Sequence, residues 1–378
     1  MALSKIDVAN MLTGIVPNDN SIRRPLSKPL IINGDMQVSQ RTTSETGITD
    51  NRYSSCDRFK IEIDSCGTWT VIQEALTSGA AYNAGFRKAL RLDCTTADAS
   101  PASADAVIVS HRMEGQNLNV FKKGTSSAEK YTLAFWIKSN KTGTAQVNFT
   151  DEENTRMCSG QYTISSANTW EKKVINIAAD TSGASNNDNT ESIRISWFFD
   201  AGSNYTSGAV PTAWESTSAG DKSVSDLALA DNTNNDVAIT GVQLEVGEFS
   251  STTIPPFQFE DIRENLLRCQ RYFQHIVSGN HKLISYAHWA SSSQITFILN
   301  ILEMRAVPTI DYDNGNDYWA IGGSSGSTNT IDTLIIDGYS TNKCIGLYSG
   351  TAAGGTTGYA YYGFSDNASA RLALVSEL

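Results

Sequence analysis

Charged residues and long apolar runs are both scarce in this sequence. Asp, Glu, Lys and Arg make up only 18% of its 378 residues, and the formal net charge is −11. No run approaches the roughly 20 apolar residues that a membrane-spanning helix needs, so we expect no membrane insertion. Basic residues occur at most in pairs, as at Arg23-Arg24 and Lys122-Lys123, whereas binding to a phosphate backbone needs clusters of them. We therefore predict no nucleic-acid partner.

Cysteine patterns and a secretory signal are missing as well. The six cysteines form no CxxC pair and no short Cys/His cluster, and their even number forces no disulfide in a chain of this length. The first 20 residues contain no apolar block of the kind found in secretory signals. We expect free thiols, buried or half-buried, in a protein assembled in a reducing cytosol. The cysteines are Cys56, Cys66, Cys94, Cys158, Cys269 and Cys344.

No arrangement of acidic residues predicts an active site. Glycoside hydrolysis needs two carboxyl groups about 5 to 9.5 Å apart, and no motif in this sequence predicts that geometry. We interpret the acidic triplet Asp151-Glu152-Glu153 as a solvated loop. We therefore expect neither catalysis nor a bound cofactor.

Strand and turn signals are abundant. Ser, Thr, Asn and 28 Gly carry most of the polar content, which suits short strands joined by turns. Apolar residues alternate over 131–137 and again at Val147 and Phe149, and we interpret these two stretches as a hairpin. The alternation changes phase at Gly241, which predicts a β-bulge. Strands with a single apolar face predict an all-β fold made of two-layer sandwiches.

The chain divides into four segments. Residues 1–27 have no core of their own and are predicted to be an extended N-terminal attachment arm. Residues 28–250 are predicted to be a jelly-roll β-sandwich, and residues 278–378 a second, smaller C-terminal β-sandwich. Residues 251–277 between them should contain a linker and a short linking helix.

The short helix is predicted from its cap and its apolar stripe. Asp261 and Glu264 have the spacing of a capping box. Four apolar residues follow at helical spacing, and we expect them to pack on the end of a sandwich or on the same helix of another subunit. They are Ile262, Leu266, Cys269 and Phe273.

Segments along nearly the whole chain resemble tail-fibre and minor virion structural proteins of tailed bacteriophages. The stretch from Gly241 to Phe273 is the most specific of them. The matching segments are MALSKIDVANMLTGIVP, LIINGDMQVSQR, YSSCDRFKI, YTLAFWIKSNKTGT, ANTWEKKVINI, ITGVQLEVGEFSSTTIPPFQFEDIRENLLRCQRYF, MRAVPTI and ASARLALVSEL. In that family the body resembles a carbohydrate-binding module, and a small β-domain follows it.

The resemblance implies a homotrimeric virion protein, assembled in the host cytoplasm and held on the particle by residues 1–27 through other virion proteins. We expect the C-terminal domain to contact the host surface, with a host cell-surface glycan as a candidate ligand. Capsid or collar decoration without receptor binding is the alternative. A polysaccharide-degrading enzyme is less favoured, since depolymerase fibres carry near-repeating β-helix coils that this sequence lacks. A cellular carbohydrate-binding module would be expected to carry a secretion signal.

Candidate contact residues are aromatic, because sugar C–H surfaces stack on aromatic rings. Those near turns of the C-terminal domain are Tyr286, Trp289, Tyr312, Tyr318 and Trp319.

Metal sites are not predicted. His275, His281 and His288 lie close in sequence but lack a zinc motif. A metal site would need three copies of one of these histidines to meet on a trimer axis. Residues 311–317 place oxygen ligands at alternate positions, but an EF-hand would need a Glu where Gly322 stands. We therefore interpret 311–317 as a polar turn.

Overall fold

The computed structural model describes residues 28–313, 315, 317–322, 328–349 and 356–378. Its contacts divide the chain into an N-terminal unit that ends at Asp261 and a C-terminal unit, Ile262–Leu378. The predicted arm, residues 1–27, lies outside the described residues. Strands dominate both units and the helices are short, so the all-β prediction is confirmed.

The N-terminal unit is a sandwich of two antiparallel sheets. One sheet has six strands in the order β1-β4-β5-β13-β7-β10, and the other has seven in the order β12-β9-β8-β11-β6-β3-β2. The strands are β1 (Ser44–Ile48), β2 (Arg52–Tyr53), β3 (Phe59–Asp64), β4 (Thr68–Ala75), β5 (Lys88–Thr96), β6 (Ala106–Glu114), β7 (Tyr131–Ser139), β8 (Gly143–Asp151), β9 (Arg156–Ile164), β10 (Glu171–Ile177), β11 (Glu191–Ala201), β12 (Glu215–Ser216) and β13 (Asp236–Val246).

The core of this unit lies between the two sheets, as the alternation predicts. Along β3 buried residues alternate with half-buried ones, since successive side chains of a strand point to opposite faces. Phe135 packs edge-on against Tyr162 and Trp197, with ring centroids 5.2 and 5.6 Å apart. Both aromatic pairs join one sheet to the other, which makes the unit a jelly-roll-like sandwich.

The predicted hairpin of residues 131–149 is wrong. β7 pairs with β10 and β13 in the six-stranded sheet, whereas β8 pairs with β9 and β11 in the seven-stranded sheet. The turn between β7 and β8 therefore carries the chain from one sheet to the other. Alternation identifies a strand and its buried face, but both strands of a hairpin and two strands in opposite sheets show the same period.

The predicted bulge at Gly241 is confirmed. The register of β13 against β7 shifts between Thr240 and Gln243, and Gly241 has a φ of +61°. A left-handed residue of this kind is what lets two residues of one strand face one residue of its partner.

The free-thiol prediction is confirmed. All six cysteines are unpaired, five of them buried and Cys344 half-buried. Burial raises the pKa of the Cys158 thiol to about 11, so that thiol is inert at neutral pH.

The C-terminal unit also has two sheets. A three-stranded sheet has the order β14-β23-β17, and a seven-stranded sheet has the order β19-β18-β22-β15-β16-β21-β20. The strands are β14 (Phe273–Ser278), β15 (Leu283–Trp289), β16 (Ile295–Asn300), β17 (Thr309–Tyr312), β18 (Trp319–Gly322), β19 (Thr328–Ile331), β20 (Ile335–Ile336), β21 (Cys344–Ser349), β22 (Ala360–Ser365) and β23 (Arg371–Val375). Its core joins residues of both sheets.

Three short α-helices accompany the strands of the described chain. They are α1 (Ala80–Asn83), α2 (Ser203–Thr206) and α3 (Ile262–Gln270). The predicted linking helix is α3, but it ends before Phe273, which begins β14. The C-terminal unit begins at Ile262, and β14 pairs with β23 inside it, so α3 and β14 both belong to that unit. Of the predicted stripe on α3 itself, Cys269 is buried and Ile262 is exposed.

Among the described residues, no helix is both long enough and apolar enough to cross a membrane.

Candidate binding face on the C-terminal unit

The seven-stranded sheet of the C-terminal unit has one buried face and one open face. Along β16, Ile295, Phe297 and Leu299 are buried in the core. The residues between them point the other way, because the side-chain period of a strand is two. Of these, Ile298 is exposed, so the outer face of this sheet presents an apolar side chain to solvent.

Aromatic and apolar side chains from neighbouring strands lie side by side on this outer face. Tyr286 of β15 is directly opposite Tyr362 of β22, and Leu283 is opposite Phe364. Opposed residues of an antiparallel pair share a face and approach closely. On β21, Tyr348 faces Thr296 of β16. We define the aromatic face as Leu283, Tyr286, Ile298, Tyr348, Tyr362 and Phe364.

Two of these rings pack against a glycine of the neighbouring strand. The rings of Tyr362 and Phe364 have centroids 5.8 Å apart. A Cβ at Gly322 of β18 would lie 3.1 Å from Phe364 and 3.3 Å from Tyr362. The two rings therefore lean over the backbone of β18 and form a platform rather than projecting freely.

The exposed fraction of the face is large. Tyr286 is 80% exposed, Leu283 65% and Ile298 54%. The strands β15, β16, β21 and β22 contain no Asp, Glu, Lys or Arg. A contiguous exposed apolar patch of this kind marks an interaction surface more often than it marks ordinary solvent-facing sheet.

A histidine and a carboxylate meet at one margin of the face. His281 lies 3.3 Å from a carboxylate oxygen of Asp366, and its ring centroid is 6.1 Å from that of Phe364.

Of the five aromatic residues proposed from sequence, the structure puts Tyr286 on this face. Trp289 and Trp319 are buried, at 1% and 0% exposure, which corrects their assignment as surface contacts. The reason is that successive side chains of a strand point to opposite faces. Trp289 lies three residues from Tyr286 on the same strand and so points into the core, where Trp319 of β18 also packs.

Tyr312 and Tyr318 are half-buried and pack against the same core. The hydroxyl of Tyr312 accepts a hydrogen bond from the backbone N–H of Leu334 at 3.4 Å. Its ring centroid lies 6.4 Å from that of Trp319. Both tyrosines therefore serve mainly as packing residues in this unit.

Sequence reasoning missed most of the face. Ile298 follows from the alternation of its buried neighbours on β16, since a residue between two buried strand positions points outward. Tyr348, Tyr362 and Phe364 join Tyr286 through strand pairing that no local pattern encodes.

The histidines do not converge in this unit. His281 pairs with Asp366, His288 lies on the outer side of β15, and burial lowers the pKa of His275 on β14. Within the described part of the chain, no group of three or more His, Cys, Asp or Glu residues has metal-binding geometry.

Two acidic residues of 311–317, Asp311 and Asp313, face a cation of the protein itself. Asp311 accepts two hydrogen bonds from Arg371, at 2.8 and 2.9 Å. Asp313 lies 3.7 Å from the same guanidinium. Asn314 and Asn316 lie outside the described residues.

Comparison with known proteins gives remote structural likenesses only. No family model and no curated protein matches the sequence. The enzymatically active domain of bacteriophage CBA120 tailspike protein 4 is 12% identical with a TM-score of 0.30, and the match covers 58% of this chain and 21% of that one. A putative sugar-binding protein from Bacteroides thetaiotaomicron is 14% identical with a TM-score of 0.31, covering 58% of this chain and 100% of that one.

A third similar structure is the tandem CBM22 module of Xyn10C from Paenibacillus barcinonensis. It is 8% identical with a TM-score of 0.26, and the match covers 93% of this chain and 98% of that one. Likenesses this remote assign no function, which has to be argued from the surfaces of the chain itself.

Proposed function

We propose that this chain is a non-enzymatic, fibre-type structural subunit of a tailed phage particle that contacts a cell surface through the aromatic face. The observation that carries the proposal is the exposed aromatic surface around Tyr286 and Tyr362, on strands that contain no Asp, Glu, Lys or Arg. The sequence resemblance to tail-fibre proteins supports the virion setting. In this proposal residues 1–27 attach the subunit to other virion proteins.

The chemistry of the face suits a neutral glycan. Aromatic rings bind the C–H surfaces of sugars, and the tyrosine hydroxyls add hydrogen bonds at the edge of the platform. Strands β15, β16, β21 and β22 contain no Lys or Arg to bind a carboxylate or sulfate. Three copies in a homotrimer would multiply a weak contact by avidity.

The test is a binding and competition assay with purified protein. The double variant Tyr286→Ala/Tyr362→Ala should lose binding to host cells and lose competition with infecting phage. Tyr339→Ala is the matched control, since Tyr339 is 95% exposed but lies outside the aromatic face. Equal binding by all three proteins would reject the aromatic face as the contact.

The alternative functions predict different results with the same purified protein. Wild-type protein that neither binds cells nor competes with infection would favour capsid or collar decoration. Release of reducing ends from host polysaccharide would favour an enzyme. Density of an intact particle would show whether the subunit sits on the tail, the collar or the capsid.

A further inference from the structure

A lysine is buried among carboxylates in the N-terminal unit, far in sequence from its partners. Nζ of Lys123 lies 2.5 Å from Oδ2 of Asp151 and 3.3 Å from Oδ2 of Asp180. It also donates to the carbonyl oxygen of Gly183 at 3.0 Å. The side chains of Lys123, Asp151 and Asp180 are at most 1% exposed. The expectation that Asp151 belongs to a solvated loop is therefore wrong for this residue.

The carboxyl group of Asp151 is held in one orientation. Its Oδ1 accepts the backbone N–H groups of Glu153 and Asn154, both at 3.1 Å. Its Oδ2 accepts the side-chain amide of Asn154 at 2.9 Å. Two N–H donors fixed on one oxygen stabilise the negative charge that gathers there when the carboxyl carbon is attacked by a nucleophile.

The second carboxylate, Asp180, is fixed in place by an arginine. Arg156 contacts its two oxygens from Nε and Nη2, at 3.2 and 3.1 Å. Burial pushes the pKa of Asp180 upward, but the backbone N–H of Ser182 and the Arg156 guanidinium outweigh it and leave the pKa below its usual value. Asp180 therefore stays ionised beside the ammonium group of Lys123.

A tryptophan ring packs against the buried ammonium group. The Lys123 ammonium lies 4.9 Å from the centre of the Trp214 ring. Trp214 is fixed in turn by its Nε1, which donates to the carbonyl oxygen of Ala178 at 2.8 Å. Exclusion of water favours condensation over hydrolysis and strengthens each electrostatic contact in the site.

We propose that Lys123 and Asp151 form an intramolecular amide cross-link. Nζ attacks Cγ of Asp151, so that the Nζ–Cγ bond forms and the Cγ–Oδ2 bond breaks. Nζ gives up two of its three protons, one of them relayed through Asp180. Oδ2 receives both protons and leaves as water, and no oxidant or reductant is needed. Oδ1 remains as the amide oxygen on the Glu153 and Asn154 N–H groups.

The cross-link would connect positions that lie 28 residues apart. It would tie the segment before β7 to the end of β8. Closing a loop covalently restricts the unfolded chain, as a disulfide does. All six cysteines of this chain are free, so the amide would give the sandwich a covalent brace that reducing conditions cannot open.

The decisive measurement is the mass of the full-length purified protein, with peptide mapping to locate any difference. We expect the wild type to be lighter than its sequence by one water, and a branched peptide to join Lys123 to Asp151. Folded wild-type protein at its full sequence mass, with separate peptides for these two residues, would overturn the proposal.

Three variants separate the cross-link from an ordinary ion pair. Asp151→Asn should lose ammonia instead of water and reach the same final mass as the wild type, because both reactions give the same amide. Lys123→Arg keeps the positive charge but should stay at full mass. Asp180→Asn, which removes the proton relay, should accumulate uncross-linked protein. Full mass for folded Asp151→Asn would contradict the proposed attack on Cγ.

Discussion

Gly241 lies against the ring of Phe86, at a distance that leaves no room for a side chain. A Cβ at position 241 would be 2.5 Å from Cζ of Phe86 and 2.9 Å from Cδ1 of Trp136. Phe86 belongs to a small apolar cluster on the outer side of the six-stranded sheet. The bulge of β13 and the packing of that cluster therefore depend on the same glycine.

Gly241→Ala should destabilise the N-terminal unit by about 2–4 kcal/mol, the sum of a left-handed backbone penalty and an overpacking penalty. Gly47→Ala is the matched control. Gly47 also has a positive φ, of +75°, but nothing lies within 4 Å of the position of its Cβ. It should lose only about 1–2 kcal/mol. Urea unfolding of both variants measures the difference, and equal losses would show that the contact with Phe86 is unimportant.

A buried aspartate should make stability depend on pH between about 4 and 6. Burial raises the pKa of Asp200 from 3.8 to about 6, while its Oδ2 accepts the Ala230 N–H at 2.7 Å. The folded state then binds a proton at Asp200 more tightly than the unfolded state does. The free energy of unfolding therefore falls as pH rises through this window and stays at the lower value above it.

Asp200→Asn keeps an oxygen acceptor for Ala230 and removes the charge. The free energy of unfolding of the variant should not fall between pH 4 and 6. At pH 7 the variant should be more stable than the wild type by about 1–3 kcal/mol. Unfolding free energies measured from pH 4 to 8 would test it. Parallel curves for variant and wild type would mean that Asp200 titrates normally.

Sequence reasoning identified strands and buried faces better than it identified partners. The alternation of Ile295, Phe297 and Leu299 predicts β16 and its inward face, because burial imposes a period of two on any strand. The same alternation could not tell that β7 and β8 lie in opposite sheets. Pairing depends on the whole fold, so the local pattern leaves it open.

The candidate sites show the same limit. Tyr286 and Trp289 are both aromatic and both lie near a turn, so the sequence favours them equally as contact residues. Their spacing of three along one strand nevertheless sends the two side chains to opposite faces. Lys123 and Asp180 are 57 residues apart. A cluster assembled across that separation leaves no spacing signal in the sequence, and Asp151 looked like an ordinary acidic loop residue.

Truncation to alanine should destabilise the protein strongly at Trp289 and hardly at all at Tyr286. Trp289→Ala removes a fully buried ring and should destabilise the C-terminal unit by about 3–5 kcal/mol. Tyr286→Ala removes a ring that is 80% exposed and should change stability by no more than about 0.5 kcal/mol. Chemical unfolding monitored for this unit compares them. A large loss for Tyr286→Ala would show that the aromatic face is a packing surface.

Cell binding through the aromatic face should be insensitive to salt. Strands β15, β16, β21 and β22 contain no Asp, Glu, Lys or Arg, so we expect few ion pairs in the contact for salt to screen. Raising the ionic strength from about 0.1 M to about 1 M shortens the Debye length from about 10 Å to about 3 Å. Binding by the wild type should stay constant or strengthen, since burial of apolar surface is not weakened by salt. A steep loss of binding would instead assign the contact to charged residues elsewhere, and Tyr286→Ala/Tyr362→Ala would then bind as the wild type does.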